Sequence, residues 1–147
     1  TIHLTLSAAE TGHTILATTH TNDAIKSVDR VIDVFPAEQQ QQIRFMLSMT
    51  LIGVLSQRLL PHAEGEGRIL GYELLINNTA VANLIREGKT FQIPSIIQTG
   101  KGEGMQLMDQ ALQTLLTDKR ITMEEAHRYA VNKTQFPLPT GKGAPHG

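Results

Sequence analysis

The sequence contains no cysteine, which excludes disulfides, thiolate zinc sites and cysteine nucleophiles. It has no excess of positive charge either: the formal net charge is −1, so no nucleic-acid partner is expected. Long apolar runs are also missing. The charge-free run over residues 45–57 spans 13 positions and includes Ser48, Thr50, Ser56 and Gln57, whereas a membrane span needs roughly 20 mostly apolar residues. No direct insertion into a membrane is therefore expected.

A complete phosphate-binding loop is absent as well. The P-loop pattern is Gly-x-x-x-x-Gly-Lys-Ser/Thr, and the two Gly-Lys pairs, at residues 100–101 and 141–142, both fail to match it. Ser95 stands where the first pair needs its leading glycine, Phe136 stands there for the second, and both pairs are followed by glycine. No apolar strand ends in an acidic pair that would hold magnesium. The sequence therefore predicts no complete nucleotide site within this chain.

The pattern of apolar residues nevertheless predicts a folded α/β protein. With 147 residues, 40% of them apolar, the chain can build a core. Three strands are too few to form a sheet that packs against this many helices on both faces. The first predicted helix also starts at the beginning of the sequence, with no capping residue before it. The chain is therefore expected to be part of a longer one. The predicted helices cover residues 2–11, 24–34, 38–51, 79–87, 94–98, 104–118 and 122–132, and the predicted strands cover 14–19, 54–60 and 68–76.

Two histidines flank the first predicted strand, in the stretch TGHTILATTHTNDA. Along a strand, His13 and His20 would lie roughly 23 Å apart and on opposite faces, so they cannot share a metal ion and no metal site is predicted. His20 follows the strand, at the end where open α/β sheets bind ligands. Together with Thr19 and Thr21 it could contact a phosphate oxygen or orient a water. The alternative is that both histidines are ordinary hydrogen-bonded residues at strand ends.

At this point the motifs resemble a known family. SAAETGHTILATTHTNDA resembles the histidine box of the secretion and type IV pilus ATPases, and DRVIDVFP, SQRLLP and IQTGKGEGMQLMDQAL continue the likeness. Over residues 1–132 the chain is most similar to the pilus retraction ATPases, the PilT group. The stretch AVANLIRE resembles that group's Ala-Ile-Arg-Asn-Leu-Ile-Arg-Glu motif, although Ala82 replaces the usual arginine, whose role does not carry over. The segment between Leu60 and Arg68 lacks the four-cysteine zinc module common in extension ATPases, while the accessory PilU group stays open.

The resemblance implies a fold and a set of partners. Residues 1–77 would be the C-terminal part of a RecA-like P-loop ATPase core, and residues 78–132 an all-helical C-terminal subdomain. Residues 133–147, rich in proline and glycine, are expected to form a disordered tail. The intact protein would be a cytoplasmic homo-hexamer, peripheral to the inner membrane at the pilus base, that binds ATP and Mg²⁺ and works on the pilus platform protein. This chain alone would bind neither and would not hydrolyse ATP. The alternative is a non-enzymatic helical module that docks on a pilus or secretion ATPase.

Individual residues carry over from the family motifs. His20 resembles the box histidine near the γ-phosphate and is the candidate catalytic residue, with Thr19 and Thr21 close to the nucleotide. His13 resembles the first box histidine, which implies a structural role or a subunit contact.

Two further sets of residues keep two interpretations each. Arg58 either approaches the nucleotide or pairs with Glu73 across the predicted hairpin, and Glu73, like His13, is expected to be structural or at a subunit interface. In the AVANLIRE stretch, the apolar residues at helical spacing predict core packing, whereas the resemblance implies that the charged residues present a surface needed for retraction. The residues concerned are Leu84, Ile85, Arg86 and Glu87.

Overall fold

A computed structural model of the protein describes residues 1–139. These residues form a mixed α/β fold that confirms the predicted class, with seven α-helices and one two-stranded sheet in the described part. Each predicted helix is present, with ends within a few residues of those predicted. The elements are α1 (Ile2–Glu10), α2 (Ala24–Asp33), α3 (Ala37–Thr50), β1 (Gly53–Pro61), β2 (Arg68–Ile76), α4 (Thr79–Glu87), α5 (Ile93–Thr99), α6 (Met108–Thr117) and α7 (Met123–Tyr129), with 3-10 turns at Thr90–Gln92, Gly100–Glu103 and Lys133–Gln135.

Local capping residues decide where several helices begin. The Asp23 carboxylate accepts a hydrogen bond from Lys26 N at 2.7 Å and starts α2. Asn78 caps α4 in the same way, through a 2.9 Å bond from Val81 N. Such caps satisfy backbone N–H groups that have no partner inside the helix. The residues that determine where these helices begin therefore lie within a few positions of each helix start.

Strands β1 and β2 form an antiparallel hairpin whose two faces differ. Backbone hydrogen bonds at its open end (3.0 Å) and at its loop end (3.3 Å) fix one register. In that register Ser56 lies opposite Glu73, and Arg58 lies opposite Gly71. Alternate residues of β2 are buried, with Glu73 among them. The face that turns inward thus includes a carboxylate.

The chain divides into two compact units, each with a hydrophobic core of its own. The units do not follow the predicted boundary between residues 77 and 78, because the open end of the hairpin belongs to one and its loop end to the other. The first unit comprises Thr1–Gln57 and Tyr72–Leu107, with a core of Leu6, Ala24, Val28, Ile32, Ile43, Met46, Leu47, Leu75, Val81, Ile85, Ile93, Ile97 and Met105. Within the described residues, the second comprises Arg58–Gly71 and residues 108–139, with a core of Leu60, Ile69, Met108, Leu112, Ile121, Ala126, Ala130 and Phe136.

The strand predicted at residues 14–19 is not formed, so this prediction is wrong for the structure described. The segment has no regular secondary structure, its residues are exposed, and Leu16 is 95% exposed. A β-strand needs a neighbour to satisfy its backbone groups. Among residues 1–139 only the hairpin and an isolated bridge between Leu74 and Gln106 supply such pairing. His13 and His20 consequently do not mark the ends of a strand in this structure.

The predicted disordered tail begins too early in the sequence. Lys133–Gln135 forms a 3-10 turn, and Phe136 is completely buried in the second core. The Asp109 carboxylate holds the chain just before that turn by accepting hydrogen bonds from Val131 N and Asn132 N, both at 2.8 Å. Burial of the Phe136 ring stabilises this part of the chain, although its proline-rich composition predicts disorder. Residues 140–147 of the predicted tail lie outside the described residues.

Candidate functional site

The residues around His20 are held by a cluster of three hydroxyl groups. Thr19 Oγ1 lies 3.1 Å from Thr21 Oγ1 and 3.3 Å from Ser27 Oγ, and the hydroxyl of Thr21 also hydrogen-bonds that of Ser27. Ser27 is buried in the first turn of α2 and donates to Asp23 O at 3.1 Å. The two threonines that flank His20 are therefore turned toward the helix, while the histidine between them is exposed.

A buried carboxylate secures the other side of the same turn. Glu73 on β2 is only 4% exposed, and its Oε1 accepts a hydrogen bond from Ala24 N, the first residue of α2, at 2.9 Å. The N-terminus of a helix presents N–H groups without internal partners and favours negative charge. Glu73 thus joins the hairpin to the start of α2, directly after the segment that carries His20.

His13 lies at the other end of the segment and makes local contacts only. Its backbone N donates to Ala8 O at 3.1 Å, and its ring Nδ1 lies 3.2 Å from the same carbonyl oxygen and 3.1 Å from Thr11 Oγ1. Gly12, with φ of +92°, lets the chain turn out of α1 in a left-handed conformation. These contacts fit the structural role predicted for His13; a subunit contact stays a prediction.

Arg58 belongs to the second unit, where its guanidinium contacts an aromatic ring. Its guanidinium carbon lies 5.7 Å from the centre of the Tyr129 ring, a cation–π arrangement. The residue opposite Arg58 in the hairpin is Gly71. Whether Arg58 approaches the nucleotide or pairs with Glu73 stays a prediction.

The apolar residues of the AVANLIRE stretch pack into the core. Val81 and Ile85 are fully buried on α4, and Leu84 is partly buried against the same cluster. The helix ends at Gly88, where Lys89 N donates to Leu84 O at 2.8 Å in a Schellman arrangement. Core packing therefore accounts for Leu84 and Ile85.

The two charged residues of that stretch differ in exposure: Glu87 is exposed, whereas Arg86 is half-buried. The Arg86 guanidinium lies 5.7 Å from the centre of the Phe45 ring and donates to Asn83 Oδ1 at 3.2 Å. Glu87 is exposed and forms an ion pair with Lys89 at 2.9 Å. The hydrogen bond and positive charge of Lys89 hold the pKa of Glu87 below its ordinary value. The Arg86 guanidinium is thus engaged by contacts within the chain, and the role of both residues in retraction stays a prediction.

The chemistry available around His20 is that of an exposed imidazole on an anchored backbone. Such a ring can donate a hydrogen bond to a phosphate oxygen or orient a water molecule. The hydroxyls of Thr19 and Thr21 are engaged with Ser27, so they fit a supporting role better than direct contact with a nucleotide. Within residues 1–139 no three His, Asp or Glu side chains come together as a metal site.

The family model described as "Type II/IV secretion system protein" matches residues 1–128 of the chain. The chain belongs to this family. A "Twitching motility protein" of Neisseria gonorrhoeae is 52% identical over 132 residues, which cover 90% of this chain and 35% of that protein. The "Type IV pilus retractation ATPase PilT" of Pseudomonas aeruginosa is 47% identical over 130 residues, 88% of this chain and 38% of that protein.

Solved structures of the family share the fold. In the crystal structure of the pilus retraction motor PilT with bound ADP, the matching region has a TM-score of 0.81 and 45% identity, and it covers 91% of this chain and 37% of that one. The chain thus spans little more than a third of the length of these relatives. No helix among the described residues is long and apolar enough to cross a membrane.

Sequence reasoning missed Ser27 and did not predict the contact that Glu73 makes with the start of α2. Ser27 gave no signal of its own, since a lone serine near the start of a helix is common. Glu73 did give a sequence signal. The alternation of β2 places this acidic residue among inward-facing positions, and a buried carboxylate needs a partner. A helix N-terminus is such a partner, and Ala24 supplies it.

Proposed function

We propose that this chain is the C-terminal part of a longer, hexameric, cytoplasmic ATPase that powers the retraction of type IV pili. The observation that carries the proposal is sequence identity of about half, over about nine tenths of the chain, with relatives named for twitching motility and for pilus retraction. The PilT structure with bound ADP supports nucleotide binding by the complete protein. The Mg²⁺ ion, the platform protein as partner and the site at the pilus base belong to the same proposal.

In this account His20 faces the γ-phosphate of ATP bound mainly by residues outside this chain. The anchoring of its two neighbours by Ser27 supports this role, because an imidazole acts efficiently on a phosphate only when its position is set in advance. A hydrogen bond from the ring to the γ-phosphate forms with ATP and not with ADP, so His20 also senses the nucleotide state. ATP and Mg²⁺ supply the reactive phosphate and its charge neutralisation; this chain supplies the imidazole.

The exposed segment at residues 14–19 supports the view that further chain is needed. Its β-branched and apolar residues favour a strand, yet it finds no neighbour among the described residues. We infer that it pairs with a strand from the rest of the longer protein. In the complete protein His20 would then lie at the end of a strand, as the sequence predicts.

Two protein samples test the proposal: residues 1–147, and the complete product of the gene that encodes them. The complete protein should carry a P-loop upstream of Thr1, release phosphate from ATP in the presence of Mg²⁺, and restore twitching to a strain that lacks the gene. Residues 1–147 alone should neither release phosphate nor restore twitching.

Other outcomes would contradict the proposal. ATP hydrolysis by residues 1–147 would show that the nucleotide site lies within this chain. A gene that starts directly before Thr1 would instead favour the non-enzymatic docking module. If the complete protein hydrolyses ATP but restores twitching only alongside a second retraction ATPase, it belongs with the accessory PilU group.

A further inference from the structure

Ser27 is a residue that contacts both neighbours of His20. Its hydroxyl meets those of Thr19 and Thr21 on one side and donates to Asp23 O at 3.1 Å on the other. Ser27 is only 6% exposed and lies in the first turn of a ten-residue helix. It is thus a fixed point, set by α2, to which an otherwise irregular and exposed segment is attached.

This attachment restrains the chain on both sides of the histidine. Thr19 and Thr21 both contact Ser27 through their hydroxyls, while His20 between them is exposed. Without the central hydroxyl, the threonines keep only their 3.1 Å contact with each other. In the complete protein residues 14–19 are proposed to form a strand, but His20 and Thr21 lie beyond it and have no regular secondary structure of their own. Their backbone would then sample more conformations.

We propose that Ser27 is a positioning residue for His20: it acts through Thr19 and Thr21 to hold the imidazole toward the nucleotide in the complete ATPase. The inference rests on the proposed function, in which His20 contacts the γ-phosphate. Misplacement of a catalytic group by about 1 Å can lower a rate on the order of 100-fold. Loss of Ser27 should accordingly reduce turnover while ATP still binds.

A structural role for Ser27 alone would give a different result. Its hydroxyl also bonds the carbonyl four residues earlier, at Asp23. Thr50 makes the same kind of bond within α3, from its Oγ1 to Met46 O at 2.8 Å. Thr50→Val therefore removes a comparable hydroxyl from a different helix and serves as the matched control.

The experiment uses the complete protein with the variants Ser27→Ala, Ser27→Thr and Thr50→Val, each also combined with His20→Ala. We expect Ser27→Ala to lower kcat about 10- to 100-fold with little change in the KM for ATP. Ser27→Thr, which keeps the hydroxyl, should recover most of the activity. Once His20 is already alanine, Ser27→Ala should cause little further loss, because residues that act together are not additive.

Two results would overturn the inference. One is an unchanged kcat in Ser27→Ala, and the other is an equal loss of kcat in the presence and absence of His20. Hydrogen–deuterium exchange gives a test that does not depend on activity: peptides covering residues 17–22 should exchange faster in Ser27→Ala but not in Thr50→Val. Unchanged exchange there refutes the positioning role, whereas faster exchange in a protein without ATPase activity refutes the proposed function alone.

Discussion

Removing the Glu73 carboxylate should loosen the start of α2. Its Oε1 lies 2.9 Å from Ala24 N, and Ala24 is completely buried. In Glu73→Ala this N–H loses its acceptor away from water, which costs about 1–3 kcal/mol. The helix N-terminus also loses a nearby negative charge, which adds roughly 0.3–2 kcal/mol. The expected total is about 1–5 kcal/mol, whereas Glu73→Gln keeps an acceptor oxygen and should cost only the smaller, electrostatic part.

Hydrogen exchange at the Ala24 amide, followed by NMR together with urea denaturation, measures this effect. Because about 1.4 kcal/mol corresponds to a factor of ten, Glu73→Ala should speed exchange at Ala24 about tenfold or more. Glu66, exposed in the hairpin loop, gives the control Glu66→Ala, which should stay within about 0.5 kcal/mol of the unmodified protein. If Glu73→Ala behaves like Glu66→Ala, the carboxylate does not anchor this helix.

The remaining predictions concern both compact units. Gly88→Ala places a side chain at φ +71° and should lower the free energy of unfolding in urea by about 1–2 kcal/mol. In the control Gly102→Ala the added methyl meets nothing within 4 Å, so this variant should be nearly neutral. Equal costs in the two variants would contradict the prediction. Phe136→Ala should destabilise the second unit by about 3–5 kcal/mol, and an unchanged denaturation curve would mean that this ring is not in the core. Lys89→Ala should raise the pKa of Glu87 toward its ordinary value in a carboxyl NMR titration. Because that pKa is lowered in the folded protein, the stabilisation is present above the ordinary carboxyl pKa and is lost as the pH falls through the folded value; an unchanged titration in Lys89→Ala would refute the pairing.

The helices could be predicted because their signals are local. An apolar stripe, a capping side chain such as Asp23 or Asn78, and a glycine such as Gly88 all lie within a few residues of the boundary they set. The hairpin could be predicted for a similar reason, since its two strands are joined by a short loop. The register of the hairpin, which sets the residues of β1 and β2 that lie opposite each other, could not be predicted, because composition does not specify it.

Predictions failed where distant contacts decide the conformation. Residues 14–19 have the composition of a strand, but a strand also requires a neighbour, which the described residues do not supply. The region around Phe136 has the composition of a disordered tail, but one buried aromatic ring and the Asp109 carboxylate fix it.

The structure adds contacts that sequence reasoning did not predict for the candidate site. The threonines on either side of His20 are expected near the nucleotide from the sequence, and the structure engages their hydroxyls with Ser27. Pairing with Arg58 is one alternative for Glu73, and the structure adds its contact with the first N–H of α2. Both contacts were missed because the partners lie on helix α2, and its packing against the segment cannot be read from the motif itself.

The most direct test of the account is the ATPase turnover of the complete protein carrying His20→Ala, with nucleotide affinity measured on the same sample. His62→Ala, in the exposed hairpin loop, is the control histidine variant. The account predicts that His20→Ala lowers turnover at least about tenfold, as expected for loss of a group that contacts the reacting phosphate, while ATP and ADP still bind. Turnover equal to that of the His62→Ala control, at unchanged nucleotide affinity, would contradict the central claim and leave His20 as an ordinary surface residue.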